Sequence, residues 1–170
     1  MKELTDAQKA EYFRKSYTSV DGLWFMKVEE LHGFEEALKI DRQVWSIFPK
    51  IQARTLRAML GAEKGIAGLA QCLAAKHSME GFGFEVEAET EGDGSSLRMI
   101  ISKCPWRELM IKSGRVSLSE RVGSAICNAE YGTWASEFGD EDRRISFCIE
   151  SQICKGDEVC VLRFEESRTP

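Results

Sequence analysis

The chain has 170 residues and a mass of 19.2 kDa, enough to bury a core of its own. Its 23 Lys and Arg stand against 28 Asp and Glu, a net charge of −5, which argues against a partner as phosphate-rich as nucleic acid. No stretch approaches the roughly 20 apolar residues of a membrane helix, and Met1 is followed by Lys2 and Glu3 rather than an apolar leader. The six cysteines therefore read as reduced thiols, metal ligands or a nucleophile in a cytoplasmic protein, not as a disulfide framework.

Thr5 and Gln8 have capping-box spacing, so a first helix is predicted towards Tyr17. A second is predicted from about Ser19 to His32, stopped by Gly33. Within SVDGLWFMKVEELHG, Val20, Leu23, Trp24, Val28 and Leu31 share helical spacing, and Phe25 and Met26 widen the apolar surface. This helix is expected to be buried on more than one side. Gly22 costs it about 1 kcal/mol relative to Ala, which a close approach by a neighbouring helix or ligand would explain. A third helix sets Ala37, Leu38, Val44, Trp45 and Phe48 on one face until Pro49 breaks or kinks it. Asp41 lies in that stripe and needs a partner, for which Lys27 is a candidate. Helical spacing resumes through Ile51, Leu56, Met59 and Leu60, and a small-residue-rich helix over 64–79 carries Leu69, Leu73 and a buried Cys72.

At Gly81 the period changes. FGFEVEAET alternates Phe82, Phe84, Val86 and Ala88 with Gly83, Glu85, Glu87 and Glu89, the pattern of a half-exposed strand. The loop EGDGSS joins it to a second strand, SLRMIISK. Pro105 then opens a short helix that ends before Gly114, a longer helix runs from Ser117 or Ser119 to about Phe138, and RRISFCIESQI with EVCVLRF forms a second hairpin. Four helices followed by β-β-α-α-β-β make an α+β protein, with a helical subdomain over 1–80 and an antiparallel sheet unit over 81–170.

Strand parity organises the chemistry. Ile145, Phe147, Ile149 and Ile153 point one way, so Cys148, Glu150, Gln152 and Cys154 point the other. If Gly156, Asp157 and Glu158 form the loop, Cys154 lies opposite Cys160 on one face; a two-residue loop would place them on opposite faces. In the long helix, Leu118, Val122, Ala125, Ile126 and Ala129 form one face. Gly123, Cys127, Glu130, Tyr131, Trp134 and Phe138 form a second. Cys127 is thus positioned to look towards the hairpin thiols, a donor set that suits tetrahedral zinc; an iron–sulfur cluster or manganese is less favoured. Cys104, immediately before Pro105, is the candidate nucleophile, because a helix N-terminus lowers a thiol pKa. Cys72 and Cys148 read as small buried hydrophobes. Glu29 and His32 form a single E-x-x-H, where a di-iron site needs two.

CPWRELMIKSGR, Cys127 after Ile126, and CKGDEVCVLRF resemble the C-terminal half of the L-2-amino-thiazoline-4-carboxylic acid hydrolase family over residues 98–164. SVDGLWFMKVEE and FEEALKIDRQVW look like a related uncharacterised cytosolic group, and the C-terminal end also resembles the 4-vinyl reductase small-molecule-binding domain. The latter resemblance implies zinc on Cys127, Glu150, Cys154 and Cys160, with Cys104 and Glu130 as substitutes for Glu150. It also implies N-terminal helices over the polar face of the sheet, with Trp24, Phe25, Trp45, Tyr131 and Trp134 walling an apolar pocket. The expected function is small-molecule binding beside a cysteine-rich metal site. The alternative is a metal- or Cys104-dependent hydrolase of a cyclic amide-like or thiazoline-like substrate. The expected partner is a small molecule, without nucleic acid or membrane; a homodimer is left open.

Overall fold

The computed structural model describes residues 3–91 and 94–168. The chain forms two compact units, Met1–Asp41 and Arg42–Pro170. The first holds α1 (Asp6–His32) and most of α2 (Phe34–Val44). α1 opens with a reciprocal cap: the Gln8 N–H donates to Thr5 Oγ1 at 3.2 Å and the Thr5 N–H donates to Gln8 Oε1 at 2.9 Å. No proline or positive-φ residue interrupts it, and pairs such as Asp6–Lys9 and Glu11–Arg14 lie along its surface. The break expected between Tyr17 and Ser19 is therefore absent, and one 27-residue helix spans both predicted ones.

Burial of this helix on several sides is not what the structure shows. None of its residues is buried, and Leu23 and Trp24 are more than half exposed. A Cβ at Gly22 would meet nothing within 4 Å, so no close approach explains that glycine. Lys27 pairs with Glu30 of its own helix rather than with Asp41.

The second unit follows in the order α3 (Phe48–Leu60), α4 (Ile66–Glu80), β1 (Gly83–Glu91), β2 (Gly94–Lys103), α5 (Pro105–Lys112), α6 (Ser119–Phe138), β3 (Arg143–Ser151) and β4 (Cys160–Arg168). Pro49 does not kink a helix, because the chain already turns at residues 45–47 and the ring falls in the first turn of α3, where its missing N–H is harmless. Gly61 and Gly81, both left-handed, close α3 and α4. The α+β expectation holds: one four-stranded antiparallel sheet of order β1-β2-β4-β3 carries helices on one face. Strands β1 and β2 pair further than expected, through Thr90↔Ser95 to Glu91↔Gly94; Gly92 and Asp93 of the predicted loop lie outside the described residues.

The apolar face of the sheet presents Leu97, Met99 and Ile101 of β2, Leu162 and Phe164 of β4 and Ile145 of β3 to Leu69 and Leu73 of α4 and to Trp134 and Phe138 of α6. Of the four inward residues predicted in β1, Phe82 and Phe84 reach this core, whereas Val86 and Ala88 are exposed where the hairpin runs past the helices. The opposite face carries an ion-pair ladder. Glu87 meets Arg98 at 2.8 Å, Arg98 meets Glu150 at 3.5 Å, Glu150 meets Arg163 at 3.2 Å, and Arg163 meets Glu165 at 2.6 Å. Such half-exposed pairs add little stability individually, but they identify this face as the solvated one. α4 accordingly packs on the apolar side with α6, not on the polar side as expected for the N-terminal helices.

Two glycines make opposite predictions. Gly22→Ala meets open space and should raise stability by about 0.5–1 kcal/mol. At Gly68 an added Cβ would collide with the Glu63 carbonyl oxygen, and Gly68→Ala should lower stability by roughly 1–3 kcal/mol. Thermal melts of the two variants beside the parent check both signs.

Candidate functional site: a thiol cluster on the core face

Strand β4 begins with Cys160, which shares its parity with Leu162 and Phe164 and so points to the core side of the sheet. The chain reaches it through a compact connection. β3 ends at Ser151, residues Ile153–Lys155 make a 3₁₀ turn, and Gly156, at φ 102°, reverses the direction. Asp157 Oδ2 accepts the Gln152 N–H at 2.7 Å, and Ser151 Oγ donates to the Val159 carbonyl at 2.9 Å. The three-residue loop expected over Gly156–Glu158 is thereby replaced by a longer connection, and Cys154 is not a strand partner of Cys160. The turn still brings them to one side: the Ile153 N–H donates to Cys160 Sγ at 3.2 Å, while Cys154 Sγ would lie 2.8 Å from a Cβ at Gly123 of α6. Cys127 stands one helical turn beyond Gly123. The glycine admits the sulfur against the helix.

Cys104 completes the group from the start of α5. Burial pushes its thiol up to about 11; the Arg107 and Trp106 N–H groups oppose this, and the neighbouring Cys160 and Glu130 reinforce it. The expectation that the helix N-terminus makes Cys104 an activated nucleophile is reversed, because desolvation outweighs the dipole. The Cys127 thiol is raised well above its ordinary value by burial, then by Glu130, Cys104, Cys160 and Cys154. Cys154 and Cys160 are raised too, chiefly by burial. These four thiols sense one another. Even so, no three His, Cys, Asp or Glu side chains among the described residues stand close enough together to form a ready-made metal cage.

The other predicted donors are placed differently. Glu150 stays on the outward face with Cys148, as its parity predicted, in the ion-pair ladder; the register shift between Ile149 and Ser151 instead separates it from Gln152 and Cys154, which lie against Gly123 of α6. Glu130 is buried but committed to Lys76 at 2.6 Å. Cys148 is exposed rather than buried, whereas Cys72 is buried as expected. Gln152, to which the sequence assigned no role, is 2 % exposed, and neither its Oε1 nor its Nε2 has a hydrogen-bond partner among the described residues. Its Nε2 would lie 3.7 Å from a Cβ at Gly123, beside Cys154.

The aromatic residues expected to wall one pocket are divided between the two units. In the first unit, Trp24 is exposed and Phe25 meets Phe34 edge-on. In the second, Trp45 is buried edge-on to Phe48 and Trp106, while Trp134 stacks on Phe138 within the core. Tyr131 stacks on His77 and contacts Phe147. A cleft of about 490 Å³ elsewhere is lined by residues 61–68 with Gln71, Ser95, Arg143 and Glu166, and contains none of these aromatic residues.

Beside the thiols lies a buried polar network. Lys76 of α4 bonds Glu80 at 2.8 Å and Glu130 of α6 at 2.6 Å. Burial alone would lower its pKa, but the charges of Glu130 and Glu80 prevail and hold it above the ordinary lysine value. His77 Nδ1–H donates to the Leu73 carbonyl at 2.7 Å, which leaves Nε2 to accept the Tyr131 hydroxyl at 2.9 Å. Burial first, and then the Lys76 charge, lower the His77 pKa to about 3. The imidazole is therefore neutral at ordinary pH.

An antiparallel sheet with helices on one face, and a thiol cluster where α6 meets the last hairpin, describes the class of structure. The chain belongs to a family of unknown function, DUF6125, whose model matches residues 5–160. No curated protein matches it. Among solved structures it is similar to the phenol-responsive sensory domain of the transcription activator PoxR, determined with phenol. The TM-score is 0.48 and the identity 11%, over 86% of this chain and 72% of that one. No helix among the described residues is long and apolar enough to cross a membrane.

The network predicts two measurable effects. Lys76→Met strands two buried carboxylates and should cost about 3–5 kcal/mol in denaturant unfolding. Because His77 is held neutral at a depressed pKa, the unfolded chain takes up a proton near pH 6.5 that the folded one refuses. Stability should consequently fall by up to about 1.4 kcal/mol per pH unit between pH 6.5 and 5, and His77→Gln should flatten that slope.

Proposed function

We propose that residues 42–170 act as a small-molecule-binding module in which Cys104, Cys127, Cys154 and Cys160 hold one thiophilic metal ion, zinc by donor type, as a structural staple. What supports this reading is that the turn carrying Cys154 packs on Gly123, one helical turn before Cys127, while the Ile153 N–H of the same turn donates to Cys160 Sγ, with burial raising all four thiols. Such a set stays protonated by itself, and a divalent cation reverses the balance by replacing the protons. The ion's chemistry would be charge neutralisation of thiolates; the chain's own part is to supply the sulfurs from α5, α6, the turn and β4. Since the thiols do not form a closed cage as placed, uptake calls for side-chain rotation.

Gln152 offers a buried donor and acceptor with no hydrogen-bond partner among the described residues, the kind of group that orients a small ligand. The resemblance of residues 98–164 to the thiazoline hydrolase and 4-vinyl reductase groups is compatible with this reading. A hydrolase using Cys104 would need a thiolate that burial opposes, which favours binding over nucleophilic attack.

Elemental analysis of protein purified without added metal tests the proposal. About one zinc per chain is expected in the parent and in the exposed-thiol control Cys148→Ser, and much less in Cys127→Ser and Cys160→Ser. Chelator treatment of the unsubstituted chain should lower its melting temperature, which keeps the test independent of whether the variants fold. A metal-free parent, or equal zinc in all four proteins, overturns it.

A further inference from the structure

Resting on the metal reading above, we propose that Gln152 is a positioning residue for the thiol site: its Nε2 donates to the Cys154 sulfur once a metal ion has displaced the thiol proton. Gln152 is 2 % exposed, yet neither its Nε2 nor its Oε1 has a hydrogen-bond partner among the described residues. A buried amide left unpaired is costly, and its presence in a folded chain calls for a partner that arrives later. The sulfur is at hand. The place that a Cβ on Gly123 would occupy lies 2.8 Å from Cys154 Sγ and 3.7 Å from Gln152 Nε2, so thiol and amide converge on one bare stretch of α6.

The surrounding backbone already directs donors at sulfur. The Ile153 N–H, next in the chain after Gln152, reaches Cys160 Sγ at 3.2 Å, and the Arg107 and Trp106 N–H groups at the start of α5 turn towards Cys104. A thiol is a weak acceptor and a thiolate a strong one, so these donors gain strength when a metal ion replaces the proton. Thiolates gathered on one divalent ion also carry a net negative charge. Arg107, whose Nε is likewise buried without a hydrogen-bond partner among the described residues, offsets part of it at Cys160. Asp157 Oδ2 accepts the Gln152 backbone N–H at 2.7 Å and fixes the point from which the side chain reaches. The amide oxygen, which a thiolate cannot satisfy, stays available to a small ligand.

The test uses the full chain, depleted of metal and titrated with zinc against a chromophoric chelator, with cobalt(II) as a spectroscopic probe. In Gln152→Met, which keeps the length and removes the amide, zinc affinity should fall about 10–100-fold. The metal-free variant should nevertheless melt a few degrees above the metal-free parent, because a buried unpaired amide is gone. These opposite signs separate a donor to the metal site from a packing residue, whose loss lowers both. The sulfur-to-cobalt charge-transfer band should move to lower energy, since an N–H bond stabilises the sulfur lone pairs that donate. Gln71→Met, an exposed control on α4, should keep the parental affinity and band. Parental affinity and band in Gln152→Met, or a metal-free Gln152→Met that melts below the metal-free parent, overturns this proposal and leaves the staple standing. A parent that takes up no zinc overturns both.

Discussion

A lysine nitrogen cut off from water must find its solvation in the protein, and Lys76 finds it in two carboxylates from different helices. Glu80 is a turn away on α4, but Glu130 belongs to α6, so the ion triad fixes how these helices meet above the sheet. The neighbouring residue repeats the device without a charge: His77 reaches from α4 to Tyr131 of α6. Polar groups buried at this depth demand satisfied partners, and they restrict the helices to a single rotation and translation more sharply than Leu69 or Leu73 can. Whether such triads add net stability depends on context, but one broken partner leaves an uncompensated charge inside.

With α6 so fixed, the two ends of one helical face serve different needs. Trp134 and Phe138 fill the space above Phe164, whereas Gly123 and Cys127, towards the beginning, stand over the final hairpin. The absence of a side chain at Gly123 matters for contact, not for backbone freedom, since it lets the turn bearing Cys154 press against the helix. Burial is the first cause of the raised thiol pKa values, and the neighbouring potential anions add to it, so each thiol is easier to protonate than in water.

Much of this was legible from residue spacing. The alternation in FGFEVEAET, the change of period at Gly81 and the capping residues located the sheet and most helix ends, because these signals are local. Parity set Cys160 with Cys154 on the polar face, whereas Cys160 faces the core with Leu162 and Phe164. Parity held at Glu150 and failed beyond it, at Gln152 and Cys154, since it assumes an unbroken ladder and a bulge carries no plain signature in FCIESQIC. The Lys76–Glu80 spacing is indistinguishable from an ordinary surface pair until α6 supplies Glu130. The apolar run behind Gly22 was read as burial because periodicity reports which side of a helix is apolar and is silent on what covers it. Cys104 was misjudged because the helix end is visible in the sequence and the desolvation is not.

The strand order has a consequence for how the molecule assembles in time. Each hairpin joins residues close along the chain, and α1 brings its own cap and surface pairs, so all three can form from local encounters. The central ladder differs: it zips Ser95 to Glu166 and Ile101 to Cys160 across everything between the two hairpins. Closing that span costs chain entropy before Leu97 and Phe164 touch. The seam that completes the sheet is thus the slow step expected of this topology, and until it closes each hairpin exposes one unpaired, largely apolar strand.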